Sequence, residues 1–155
     1  MMEFVRATEQ DISALIERRM DYISADFGTI SPETEDRIRS SLPGYFARHL
    51  DRDLFVFTAR KNGVIVSTAM LLVVEKPCNP DFINGKVGEV LNVYTMPEYR
   101  RRGLARRLIE QLMEFAKEQN LDFIALSATE DGYPMYKQLG FAEHHSKYTE
   151  MRYKI

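Results

Sequence analysis

The chain has 155 residues, 45% hydrophobic and 28% charged, a composition that excludes disordered and fibrous proteins and suits a single domain over residues 1–155. Its 21 Lys and Arg against 23 Asp and Glu leave a net charge of -2, too little to coat nucleic acid or an anionic membrane through bulk charge. Cys78, the one cysteine, sits between Pro77 and Pro80; it excludes an intrachain disulfide and a thiolate metal cluster and points to a reducing cytoplasmic setting.

The first ten residues lack the basic start and apolar core of a signal peptide. Glu3 to Arg6 is a short predicted strand, and Thr8 with Asp11 forms a capping box ahead of a helix whose apolar face is Ile12, Leu15, Ile16, Met20 and Ile23. Ser31-Pro32 starts a second helix, with Pro43-Gly44 expected to break or kink it before Tyr45 to Leu50. Leu54 to Ala59 and Val64 to Val74 are β-rich and joined by Lys61-Asn62-Gly63, a hairpin signal. The second run is too short to span a bilayer.

Glu75 to Lys86 is a loop, and Val87 to Thr95 a buried strand closed by Pro97. Helical period returns in Leu104 to Gln119, with Leu104, Leu108, Leu112 and Phe115 on one face. Leu121 to Ser127 is a predicted strand, Tyr133 to Leu139 a short helix stopped by Gly140, and Phe141 to His145 and Tyr148 to Tyr153 two last strands. The expected order is β-α-α-β-β-β-α-β-α-β-β, an α/β (α+β) domain around a mixed central sheet.

The segment from Pro97 to Ala105 lies between a buried strand and an amphipathic helix. The first N–H groups of a helix lack intrahelical partners and sit at the positive end of its dipole, so such a turn can hold phosphate. Gly103 permits a backbone conformation or close approach that a side chain blocks. The five arginines between Arg100 and Arg107 also read as a solvated basic face or as an RNA contact, the latter disfavoured by the lack of interleaved aromatics beyond Tyr99. No HExxH, GxSxG, CxxC or phosphate-loop pattern is present, and His49, His144 and His145 are assigned to structure or surface.

The pattern Arg100-x-x-Gly103-x-Ala105 resembles the acyl-CoA-binding motif Gln/Arg-x-x-Gly-x-Gly/Ala of the GNAT family of N-acetyltransferases, and Pro134 to Phe141 resembles the family's aromatic LYxxLGF-like segment. This resemblance covers essentially the whole chain and implies a GNAT-like fold in which the strands at Val87 to Thr95 and Leu121 to Ser127 splay apart around the pantetheine arm of acetyl-CoA. It implies that Arg100, Arg101, Arg102, Gly103, Leu104 and Ala105 form the pyrophosphate loop, and that backbone groups of Val93, Tyr94 and Thr95 hold the thioester and pantetheine. Thr129 stands where many family members carry an asparagine that contacts pantetheine, which leaves it a weaker candidate.

By the same resemblance the reaction is direct attack of a primary amine on the thioester in a ternary complex, without metal, nucleic acid or membrane. The acceptor is a small molecule or peptide, and dimers are common among similar folds. A lysine-like amine with a pKa of about 10.4 is nucleophilic in roughly one molecule in 2,500 at neutral pH, which adds roughly 4.6 kcal/mol to the barrier. Glu89 matches the position of the general-base glutamate in the histone acetyltransferase branch of the family, and an apolar wall would raise its pKa toward the working range; it reads equally as a salt-bridged or merely exposed strand carboxylate. Tyr136 matches the general acid that protonates the leaving thiolate, with a packed aromatic as its bland reading. Asn92 and Ser127 are polar residues flanking the expected slot. A non-catalytic acyl-CoA sensor of the same fold is the alternative to an enzyme.

Overall fold

The protein is described here by a computed structural model of residues 1–155. Its elements are β1 (Met2–Arg6), α1 (Ile12–Phe27), α2 (Pro32–His49), β2 (Leu54–Lys61), β3 (Val64–Glu75), β4 (Lys86–Thr95), α3 (Leu104–Glu118), β5 (Ile124–Ala125) and α4 (Tyr133–Gln138). One sheet runs in the order β1-β2-β3-β4-β5. Its pairs are antiparallel except β4 with β5, which is parallel.

Side chains alternate between the two faces of a strand, so the sheet carries two cores. On one face Leu54, Val56, Ile65 and Met70 pack with Leu15, Met20 and Ile23 of α1 and Leu42 and Phe46 of α2. On the other, Phe57, Ala59, Val66 and Leu71 pack with the apolar stripe Leu104, Leu108, Ile109, Leu112 and Ala116 of α3. The local signals hold at several boundaries. Thr8 N–H donates to Asp11 Oδ2 at 2.8 Å. Thr34 N–H donates to the Ser31 cap at 3.1 Å. Asn62 and Gly63 turn the β2–β3 hairpin with φ of 51° and 78°.

Three expectations are corrected. Pro43 and Gly44 do not break the second helix, which is continuous from Pro32 to His49. Leu42 and Phe46, one turn apart, both anchor in the same core, and their burial offsets the missing proline N–H. The strand expected over Leu121 to Ser127 shrinks to Ile124–Ala125 because its neighbour turns away after two residue pairs. The two final strands are absent. Residues 142–155 are exposed and carry no regular structure, because no ladder partner lies beside them and an alternating pattern alone cannot form a strand.

Candidate active site

β4 and β5 meet only at Gly88–Ile124 and Glu89–Ala125. Gly88 makes the meeting possible, since a Cβ there would lie 2.6 Å from Leu71 Cδ1 and 2.8 Å from Ile124 Cγ2. Farther along, Thr68 pairs with Tyr94 and Met70 with Leu91, so Asn92 and Val93 together face Ala69. The extra residue is Asn92 at φ 50°, a left-handed conformation that asparagine tolerates. A bulge bends its strand and increases its twist. Between the diverging strands lies a cleft of about 800 Å³.

Glu89 and Val93 of β4, Ser127 and Thr129 beyond β5, and Tyr136 of α4 all line this cleft. The Tyr136 ring is 8% exposed and meets Phe141 edge-on at 5.6 Å. Its hydroxyl has no hydrogen-bond partner within the chain and is not among the buried polar atoms. Burial, with a smaller contribution from nearby Tyr22, pushes the phenol up to about 12, which keeps it a proton donor at neutral pH. Glu89 is exposed rather than shielded behind an apolar wall. Thr129 Oγ1 accepts the Gly132 N–H at 3.1 Å, so this hydroxyl shapes the entry to α4 and retains its own proton to donate. Asn92 is buried and serves the bulge.

α1 contributes Arg19, Tyr22 and Asp26 to the opposite wall. Arg19 Nη1 donates to Asn92 Oδ1 at 3.3 Å, and its guanidinium lies 5.6 Å from the Tyr22 ring centre. Sequence reading followed only the apolar face of this helix and passed over these three. Their spacing of three and four residues, which places them on one polar stripe, was the signal available.

Tyr94, Thr95 and the Arg100–Ala105 loop do not line the cleft but follow it at the end of β4. Arg100 Nε donates to the Thr95 carbonyl at 2.9 Å and its guanidinium lies 5.7 Å from the Tyr94 ring centre. Arg102 is similarly engaged with the Glu98 carbonyl at 3.0 Å. These arginines brace the turn through their side chains. Arg101 at φ 60° and Gly103 at φ 73° turn the backbone into α3, and nothing lies within 4 Å of a Cβ built on Gly103. The glycine therefore answers a backbone conformation and not crowding. No N–H from Arg101 through Arg106 has a backbone partner, and α3 has no side-chain cap. Leu104 buries its side chain in the core and leaves only its amide at this end. A run of six free amides on a helix N-terminus suits a phosphate-bearing ligand, and the cleft beside it suits the ligand's arm. The residues present thus fit the group that the Arg100–Ala105 motif implies.

The Acetyltransferase (GNAT) family profile matches residues 16–141. Glucosamine 6-phosphate N-acetyltransferase of Trypanosoma brucei brucei is 33% identical over 91 residues, spanning 57% of this chain and 58% of that enzyme. Among solved structures, a predicted acetyltransferase from Clostridium acetobutylicum with acetyl-CoA is 30% identical, with a TM-score of 0.85 over 98% of this chain and 96% of that one. A GCN5-related N-acetyltransferase from Ralstonia eutropha is 26% identical, with a TM-score of 0.78 over 100% and 99% of the two chains.

Proposed function

The chain belongs to the GNAT acetyltransferase family, and from that premise we propose that it transfers an acetyl group from acetyl-CoA to a primary amine. The observation that carries this reading is the run of free amides at Arg101–Arg106, placed at the end of the same strand whose cleft holds Glu89 and Tyr136. Acetyl-CoA, when bound, supplies an activated thioester and a thiolate leaving group.

The loop amides hold the pyrophosphate, with Arg101, Gly103, Leu104 and Ala105 contributing N–H groups and Arg100 and Arg102 keeping the turn in shape. Backbone groups of Val93, Tyr94 and Thr95, with the Thr129 hydroxyl, line the path of the pantetheine. Glu89, which has no ion pair of its own, takes the proton of the acceptor amine, directly or through water. The Tyr136 phenol gives its proton to the departing sulfur.

The acceptor reading draws on the charges of the cleft. Asp26 and Glu89 attract an ammonium group, while Arg19 lines the same cleft with no carboxylate partner. The trypanosomal relative is named for an amino sugar phosphate. An acceptor bearing both an amine and an anion suits this arrangement, with Arg19 facing the anion.

The test measures thiol release with acetyl-CoA and a panel of amines that includes glucosamine 6-phosphate and glucosamine, alongside thermal melts with acetyl-CoA, desulfo-CoA and ATP. Ligand at a hundred times its Kd adds about 2.7 kcal/mol, a shift of roughly 5–10 °C for a chain of this size. Such a shift with acetyl-CoA and turnover on an amine support the proposal. A shift without turnover on any amine favours the sensor, and no shift at millimolar acetyl-CoA overturns both.

A further inference from the structure

Arg18 and Arg19 are neighbours on α1 and are held to very different degrees. Arg18 Nη1 donates to the Ile65 carbonyl at 2.9 Å and to the Met96 sulfur at 3.2 Å, and the Asp21 carboxylate lies 2.8 Å from its Nε. That side chain ties α1 to the start of β3 and to the end of β4. Arg19 makes one hydrogen bond, from Nη1 to Asn92 Oδ1 at 3.3 Å, and no ion pair. The bond is longer than the usual range of about 2.7–3.2 Å. A guanidinium carries five N–H groups in a rigid fork, so most of the donors of Arg19 have no partner within the chain.

The residue at the far end of that bond shapes the cleft. Asn92 is the buried bulge residue of β4 at φ 50°, and its side chain has two partners, Thr68 of β3 and Arg19 of α1. Thr68 is fully buried within the sheet, whereas Arg19 is half-buried and lines the cleft. Val93, the next residue of β4, lines the same cleft.

We propose that an oxyanion on the acceptor, seated in the fork of Arg19, fixes Arg19 on Asn92 and so sets the β4 bulge for acetyl transfer, which makes Arg19 a positioning residue through which the acceptor's own anion speeds the reaction. This deepens the reaction proposed above and rests on it. The Nε and Nη2 edge of a guanidinium offers an oxyanion two parallel N–H bonds, which leaves Nη1 its bond to Asn92. The Arg18 anchor holds α1 in place, so restraint on Arg19 passes to the bulge and is not taken up by the helix. Val93, on the path of the thioester arm, follows Asn92 directly. Binding energy from a part of the acceptor that does not react is thereby spent on the barrier and not on KM alone.

The experiment compares glucosamine 6-phosphate with glucosamine, and phosphoethanolamine with ethanolamine, in the wild type, Arg19→Lys and Arg19→Gln. The unphosphorylated amines are assayed again with inorganic phosphate added. In parallel, inorganic phosphate is titrated into the desulfo-CoA complex, in which the loop amides are occupied, while NMR follows the Asn92 side-chain amide and the Val93 N–H. The expected result is a kcat about tenfold higher for the phosphorylated amine of a pair. Inorganic phosphate raises kcat on the unphosphorylated amine and moves the Asn92 and Val93 signals to saturation, both in the wild type alone. Arg19→Lys keeps the charge and loses the fork, so it retains part of the affinity for the phosphorylated amine while its kcat falls with that of Arg19→Gln. Equal kcat within a pair, with only KM differing, reduces Arg19 to a binding contact and overturns the proposal. So does a wild type indifferent to inorganic phosphate while Arg19→Gln slows both amines alike, the mark of a merely structural role, and so do Asn92 and Val93 signals that stay unmoved. Absence of turnover on every amine overturns the reaction itself, a failure told apart by the phosphate titration, which reads the bulge without turnover.

Discussion

Thr68 and Asn92 hold each other across β3 and β4 by two hydrogen bonds: the Thr68 hydroxyl donates to the Asn92 carbonyl at 3.0 Å, and the Asn92 amide donates to Thr68 Oγ1 at 3.2 Å. Both residues are buried, and Arg19 Nη1 donates from α1 to the side-chain oxygen Oδ1 of Asn92. The bulge that bends β4 away from β5 is therefore pinned from two sides, and the width of the cleft rests on this pair.

Asn92→Val removes the bonds that the Asn92 side chain makes to Thr68 and Arg19, leaves the one to its backbone carbonyl, and places a β-branched residue at φ 50°. It should cost about 2–4 kcal/mol, seen as a fall in Tm of roughly 5–15 °C, with a larger loss of acetyl-CoA affinity than of helix content. Asn92→Gly, which keeps the conformation and loses only the bonds, should fall between this variant and the wild type. Equal losses for the two would show that backbone conformation contributes nothing here.

Tyr136→Phe keeps the ring against Phe141 and deletes a hydroxyl that bonds nothing within the chain. Stability should change little, while kcat falls about 100-fold with the KM for acetyl-CoA nearly constant. Because the phenol is pushed up to about 12, wild-type kcat should not decline through loss of this acid between about pH 8 and about pH 10. An alkaline limb in that window that vanishes in Tyr136→Phe would contradict the burial argument.

Gly103→Val forces a β-branched side chain into φ 73° at the head of α3. The expected outcome is about tenfold or greater loss of CoA affinity by calorimetry, with desulfo-CoA losing equally because the phosphates and not the sulfur are affected. Unchanged affinity would place the phosphate site elsewhere.

Gly88→Ala tests the strand junction. A methyl group there meets Leu71, Ile124 and Leu121 at 2.6, 2.8 and 3.1 Å, so about 1–3 kcal/mol of destabilisation is expected from overpacking. Urea unfolding measures it, and a neutral result would mean that β5 shifts freely.

Asp11, ahead of α1, and Arg60 of β2 form a two-pronged ion pair, with Arg60 nitrogens 2.9 and 2.7 Å from the two carboxylate oxygens. Those hydrogen bonds, led by Arg60 and assisted by the Thr8 N–H, hold the Asp11 carboxyl below its ordinary value of about 3.8. A lowered carboxylate stabilises the fold above its unfolded pKa, and that contribution disappears as pH falls through the lowered value. The urea midpoint of Asp11→Asn should therefore lie below wild type at pH 6 and converge on it in strong acid. A gap that persists under full protonation would assign the effect to packing.

Most element boundaries were readable because they are local events. A cap, a turn pair or an amphipathic stripe depends on residues within a few positions of one another, as at Ser31 and Thr34, Asn62-Gly63, and the α3 stripe from Leu104 to Ala116. The turn that leaves free amides at the head of α3 was readable for the same reason, since strand, turn and helix N-terminus are contiguous from Val87 to Ala105. Glu89 and Tyr136 were nameable only through a resemblance; nothing local says that they share a cleft.

What the amino-acid sequence determined by itself is the set of segments able to form strands and helices, together with the free amides at the head of α3, because backbone conformation and capping answer to near neighbours. The tertiary structure alone decided which of those segments are realised. Pro43 stays helical because Leu42 and Phe46 are anchored, while Tyr148 to Tyr153 stays unpaired because no strand of the same chain lies beside it. It also decided the cleft, whose walls come from α1, β4, β5 and α4. Burial and ladder hydrogen bonds are made between residues far apart in the chain, and they override local preference whenever a partner is present or missing.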